Sequence, residues 1–326
     1  MRATLRSILK AALTVLVLLF VGRHVVRTWR DLQGRGQSIR VDGAWFAGSM
    51  ALYGLGLCGF GAYFWKVLDA GAGASSIGLA PALRAYLVSH LGKYVPGKAL
   101  VVVMRAGLVV PFGARPATAA FASLYETLVM MAAGGLVATA GFAVGPGSAA
   151  WVRVPTVGGR GVDVPLSGLG LGLGLAFLVV SWPSVFPRLA SLARVPLPNV
   201  GPDALPRFST RLLGEGLAWS LLGWALLGLS QVAVIRALTP AGLAPGAWPL
   251  AIASVALATV AGFAVPIAPG GLGVREWVLW TALASAIDRD LAVVAALVLR
   301  LSWVVAEVLV AAAALVAIRP AGRSGP

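Results

Sequence analysis

Four stretches of this chain run without a charged residue for long enough to cross a lipid bilayer: Gly43–Trp65, Thr127–Val152, Val164–Pro187 and Gly216–Ile235. About 20 apolar residues in an α-helix span the ~30 Å of membrane hydrocarbon. Water is missing there, so a spanning segment must satisfy its own backbone, and each run is expected to be a helix. Composition removes the soluble alternatives. Hydrophobic residues make up 59% of the 326 and charged residues 11%, against about 25% charged in soluble domains. A further apolar run follows Arg2, Arg6 and Lys10. It lacks a small-residue cleavage site and is read as an uncleaved first helix, roughly Arg6 to Trp29, and not as a signal peptide. The expected fold is an all-α polytopic integral membrane protein, a single membrane domain over residues 1–326, in a bacterial-type plasma membrane.

The formal net charge is +15. In a soluble protein this would suggest nucleic acid. Here the cations fall in loops and at helix ends, and no RNA-binding motif is visible, so anionic lipid is the expected partner and nucleic acid is not. Cys58 is the only cysteine, and His24 and His90 are the only histidines and lie far apart. No metal site and no cofactor are expected. Positive charge at Arg2, Arg6 and Lys10, in the 187–211 loop and at Arg319 and Arg323 suits a cytoplasmic side, although the Arg-rich 23–42 loop argues against it. The N-terminus is read as inside.

The chain divides near its middle. Residues 1–150 and 165–326 read as two half-repeats joined by a connecting loop at 146–165, which contains "VGGRGVDVP". Lys66 to Pro96 is 30 residues, and Arg236 to Pro266 is also 30. Each half then carries spanning segments and one apolar stretch interrupted by Pro-Gly, at 79–110 and 248–283. If both interrupted stretches are re-entrant, each half has an odd number of crossings and the second is inverted, a plan common in transporters. This predicts about six full transmembrane helices with two broken or re-entrant elements, or eight spans if both broken stretches cross. Small residues recur at Gly43, Ala47, Ala51 and Gly59, and in "SGLGLGLGLA" at Gly168/Gly172 and Gly170/Gly174. They favour close helix packing in lipid. A nucleotide loop is a poor alternative, because no lysine follows the glycines.

The stretch "SHLGKYVPGKALVVVMRAG" (89–107) places Lys93, Lys98 and Arg105 around Pro96-Gly97. Each cation costs roughly 2.5–3.5 kcal/mol at the bilayer centre, on the order of 8–10 for all three if they faced lipid. They must snorkel, pair or line a polar cavity. Lys98 and Arg105 are seven apart and share a helix face. Pro96 removes an N–H and Gly97 permits a sharp turn. Cations beside a helix N-terminus form an anion site, for which phosphate is the natural ligand; the plainer reading is interfacial anchoring. The second break, "PGGLGVRE", carries Pro269, Gly270, Gly271, Gly273, Arg275 and Glu276. Broken backbone at membrane depth is tolerated only where it is buried in protein or lines a cavity. Glu126, Arg300 and Glu307 add intramembrane charge, the last two seven apart on one face. Each could equally sit in a structural ion pair. The candidate phosphate ligands are Lys93, Lys98, Arg105, Arg275 and Arg300, with Glu126, Glu276 and Glu307 balancing charge or carrying protons. No catalytic residue is assigned.

These residues also carry a resemblance. "GKYVPGK" followed by Arg105, and later "PGGLGVRE", resemble the two signature regions of the lysylphosphatidylglycerol synthase transmembrane family, over nearly the whole chain. The resemblance implies a flippase-type domain with an inverted repeat and a lipid-translocating role. Family members with a Glu-Arg pair in the third spanning region would align it at Glu126, where Thr127 follows instead, which leaves open what Glu126 pairs with. Arg300 falls where the family often has an arginine. Larger members carry a soluble aminoacyl-transferase domain. A chain ending at Pro326 has no room for one, so it is expected not to make aminoacyl lipid by itself. The leading expectation is a flippase binding an anionic phospholipid or a polyprenyl-phosphate-linked sugar, and not an enzyme. The alternatives are a membrane-embedded glycosyltransferase, or a non-catalytic partner of an envelope-biosynthesis enzyme. "DRD" at 288–290 is the sole Asp-x-Asp that a transferase could use, and Asp290 is expected to cap the last helix instead.

Overall fold

The computed structural model describes residues 40–71, 77–95, 99–144, 151–155, 161–192, 205–265 and 273–318, together with positions 19, 23, 26 and 30. The first helix read at Arg6–Trp29 lies outside the described residues, except that those four positions are helical. Lys98, Pro96, Gly97, Pro269, Gly270 and Gly271 also lie outside them.

Helix α1 (Gly43–Asp69) starts where the Asp42 side chain accepts from Ala44 N at 2.9 Å and Trp45 N at 3.1 Å, satisfying amides that no helical turn precedes. It is followed by α2 (Leu79–His90), a tight 3₁₀ turn at Leu91–Tyr94, α3 (Ala99–Val109) and α4 (Pro116–Ala143). Strands β1 (Trp151–Pro155) and β2 (Gly161–Pro165) come next, then α5 (Leu166–Val180), α6 (Phe186–Leu192) and α7 (Thr210–Leu238). The chain continues through α8 (Trp248–Ala264), α9 (Val274–Leu283) and α10 (Arg289–Ala317). Among the described residues, five helical stretches, Gly43–Asp69, Pro116–Ala143, Thr210–Leu238, Pro245–Ala264 and Arg289–Ala317, are long and apolar enough to cross a membrane. The protein is an all-α polytopic membrane protein.

Two expectations shift. The uncharged run 127–152 predicts a helix that begins at Thr127, whereas α4 begins at Pro116 and carries Glu126 inside it. An internal ion pair makes that carboxylate tolerable, so absence of charge marks this span too late. The connecting loop at 146–165 contains an antiparallel hairpin, with Trp151 opposite Pro165 and Val154 opposite Val162. Its signal was readable: "WVRVP" and "GVDVP" each alternate valines with other residues, on either side of the Gly-containing stretch "TVGGR".

Both interrupted stretches are helical hairpins. Val95 (φ −83°, ψ 137°) and Val265 (φ −87°, ψ 109°) are extended. Each precedes a proline, Pro96 or Pro266, whose ring drives the residue before it out of the helical region. Helix α8 therefore ends at Ala264 with Val265 extended, before Pro269 is reached. Beyond each break the chain doubles back. Arg105 Nε donates to Ser89 Oγ at 3.1 Å, and Arg275 Nη2 donates to Thr259 Oγ1 at 3.1 Å. Each pair is 16 residues apart, which in one straight helix would mean ~24 Å.

Those two bonds are related by a displacement of 170 positions, as are Val95 and Val265. The same displacement superposes the range of α1 on α7, α2–α3 on α8–α9, and α4 on α10 to within a few residues. The equivalent helices α1 and α7 pack together and run antiparallel. Asp42 N bonds Ala237 O at 2.9 Å, Gly56 faces Gly223 and Leu227, Tyr63 faces Gly216, and Lys66 pairs with Glu215 at 2.9 Å. Numbers rise along one helix as they fall along the other, which is the relation that an inverted repeat requires.

Candidate functional site

A recess opens between the turn after α2, the start of α9 and the middle of α10. Lys93 and Tyr94 come from the turn, Arg275, Glu276 and Leu279 from α9, and Ala296, Leu299, Arg300 and Trp303 from α10. The recess has a cavity volume of about 30 Å³, room for roughly two to three waters at ~10–15 Å³ each. It is a socket for a small charged group and not a chamber for a whole lipid.

Each cation is held differently. Arg300 Nη1 pairs with Glu276 Oε1. The other oxygen of Glu276 accepts from Gly273 N at 2.7 Å and closes the N-terminus of α9. Gly273 has φ +83°, a conformation that a side chain with a Cβ resists, so glycine is needed for this closure. Lys93 Nζ lies 2.5 Å from Glu307 Oε1, and the Tyr53 hydroxyl donates to the same oxygen. Lys93 Nζ is also 3.0 Å from His90 Nε2. An ammonium group can only donate, so in that bond Nε2 accepts and the ring proton is on Nδ1. The Glu307 side chain is fully buried while that of Lys93 is 20% exposed; the pair carries charge from the recess into the core.

Arg275 differs from both. Its guanidinium bonds Thr259 and sits 5.1 Å from the Trp303 ring centroid. Trp303 in turn stacks on Tyr53 at 4.4 Å and donates from Nε1 to Ser230 Oγ at 3.0 Å. This fixes the plane of the guanidinium from behind. Among the described residues, no carboxylate lies within 4.0 Å of Arg275.

A second charged cluster is sealed. Arg105 Nη1 pairs with Glu126 Oε2 at 2.9 Å, with side chains 3% and 1% exposed. Tyr86 donates to Glu126 Oε1 at 3.1 Å and Thr127 to Oε2 at 3.3 Å. The Arg105 guanidinium also lies 4.0 Å from the Tyr86 ring centroid.

A family model described as lysylphosphatidylglycerol synthase TM region matches residues 7–313. The chain belongs to this family. No curated protein matches it. Family membership marks it as a membrane protein linked to lipid or cell-envelope biology.

Of this family member's sequence candidates, the recess gathers Lys93, Arg275, Arg300 and Glu276, with Glu307 directly behind Lys93. Arg105 and Glu126 stand apart from it, each the partner of the other. Arg300 and Glu307 share a helix face but bind different partners, Glu276 and Lys93. Sequence reasoning missed Tyr53, His90, Thr259 and Trp303. The available signal was weak: His90 three residues before Lys93, and Thr259 placed before Arg275 as Ser89 is before Arg105.

Proposed function

We propose that the protein is a lipid flippase whose recess holds the phosphate of an anionic phospholipid or of a polyprenyl-phosphate-linked sugar. The observation that carries this reading is the meeting of Lys93, Arg275 and Arg300 from three elements beside two broken helices. Among the described residues, two carboxylates, Glu276 and Glu307, answer three cations, so one positive charge is left over. A phosphodiester carries one negative charge and would neutralise it. An unanswered cation at membrane depth costs roughly 2.5–3.5 kcal/mol, which favours an anionic occupant. In this reading the two helical hairpins are re-entrant, the acyl or prenyl chains stay in lipid, and the halves rock about the α1–α7 contact. The sequence has no Walker motif, so transport is downhill or ion-coupled. Glu307, bonded to Tyr53 and Lys93, is the proton carrier of choice.

The transferase reading loses support at its one motif. Asp288, and not Asp290, caps α10: its Oδ1 accepts from Asp290 N at 2.9 Å and Leu291 N at 3.2 Å.

The test is a vesicle assay with fluorescent phosphatidylglycerol and a membrane-impermeant quencher. Wild type is expected to expose inner-leaflet lipid, and Arg275→Ala to slow this about tenfold, the effect of one lost charge-assisted contact. Equal rates for the two would remove Arg275 from the mechanism. No lipid movement, with an envelope enzyme co-purifying, would favour the subunit reading.

A further inference from the structure

The two helical hairpins are copies, and comparing them position by position shows what the second has lost. Arg105 and its bond partner Ser89 correspond, 170 positions on, to Arg275 and its bond partner Thr259. The position equivalent to Glu126 is Ala296, which lines the recess beside Arg275. The two hydroxyls that bond Glu126, on Tyr86 and Thr127, correspond to Ala256 and Leu297. The arginine and its orienting hydroxyl are thus retained, while the carboxylate and both of its donors are gone together.

We propose that the recess is the Arg105–Glu126 site with its carboxylate removed, so that an oxyanion of the ligand takes on Arg275 the place that Glu126 takes on Arg105. Ala296 is then the residue that keeps the site open to an anion. The inference rests on the headgroup reading above and adds to it a determinant: restoring the acid at 296 fills the site from within. A phosphate ester on a lipid and free phosphate share this chemistry.

The experiment uses the full chain in detergent. Binding of short-chain phosphatidylglycerol and of inorganic phosphate is measured for wild type, Ala296→Glu and Ala296→Gln. In parallel, phenylglyoxal labelling of arginines in wild type is read by mass spectrometry with and without each ligand. The expected result is that Ala296→Glu weakens binding about tenfold or more, the loss of one charge-assisted contact, while the isosteric Ala296→Gln retains it. Arg275 should be protected by the ligand, and Arg105 should stay unlabelled throughout. Protection by phosphatidylglycerol alone makes the headgroup the source of the oxyanion; equal protection by phosphate makes it a free-phosphate site; both uphold the proposal. Equal loss in both variants would mean that bulk and not charge is responsible, and would overturn it. Wild-type binding that neither variant alters would overturn it while leaving the headgroup reading standing. Wild type that binds neither ligand would overturn both. If Ala296→Glu yields no monodisperse protein, Ala296→Asp replaces it; if that also fails, protection of Arg275 decides, and its absence overturns the proposal.

Discussion

At the residue scale the two arginines beside the helix breaks have opposite characters. Arg105 and Glu126 are almost fully buried and hold each other through a 2.9 Å contact. Such a pair adds little net stability, because desolvating both charges offsets their attraction. Breaking it is a different matter. Glu126→Ala strands a buried guanidinium and is expected to destabilise the fold by about 3–5 kcal/mol, seen as a lower unfolding temperature in detergent. Arg105→Met with Glu126→Leu removes both charges and should recover most of that loss. A double variant as unstable as the single one would mean that the pair is not the cause. The sequence marked both residues as charges needing company. It could not match them, because they lie 21 positions apart on helices that meet only after the chain doubles back.

At the element scale, Val95 leaves the helix just before Pro96, where the sequence put the first break, whereas α8 ends at Ala264, ahead of the Pro269 expected to break it. Small-residue stripes were less informative. Of the stripe Gly43, Ala47, Ala51 and Gly59 on α1, the first three are exposed and only Gly59 faces α7; Gly56 and Phe60, which also meet α7, lie outside the stripe. In α5 the two stripes part company. Gly170 and Gly174 press on α4, where a Cβ on Gly174 would lie 3.0 Å from the Gly135 carbonyl carbon, while Gly172 has nothing within 4 Å. Gly174→Val is therefore expected to lower stability by about 1–3 kcal/mol through overpacking, and Gly172→Val to leave the unfolding temperature nearly unchanged. Comparable melting of the two variants would show that α5 does not pack by this face. Periodicity reveals that a stripe exists; it does not say which stripe finds a partner.

At the scale of the whole molecule, the antiparallel contact of α1 and α7 joins the two halves. It makes a distance test possible in a Cys58→Ser background. Lys66→Cys with Glu215→Cys should link through a short bis-maleimide, since the native side chains touch at 2.9 Å. Asp42→Cys with Glu215→Cys should not, because Asp42 meets Ala237, 22 residues and ~33 Å along the helix from Glu215. The reverse pattern would make α1 and α7 parallel and exclude the inverted relation of the halves.

The sequence alone determined the lipid solvent and the helical class, and it pointed to two interrupted stretches and a doubled layout. These follow from local chemistry: uncharged length, the steric effect of proline, and spacing that repeats after 170 positions. Only the tertiary structure decided which charges are neighbours. Lys93, Lys98, Arg105, Arg275 and Arg300 look alike in one dimension, yet Arg105 is sealed by Glu126, Lys93 is tied to Glu307 and Arg300 to Glu276. Arg275 lines the recess, where the position repeat-related to Glu126 is Ala296. Charge in a low-dielectric interior is governed by separations of a few ångströms between side chains on different elements, and those separations exist only once the helices have packed, within each half for Arg105–Glu126 and Arg300–Glu276 and between the halves for Lys93–Glu307.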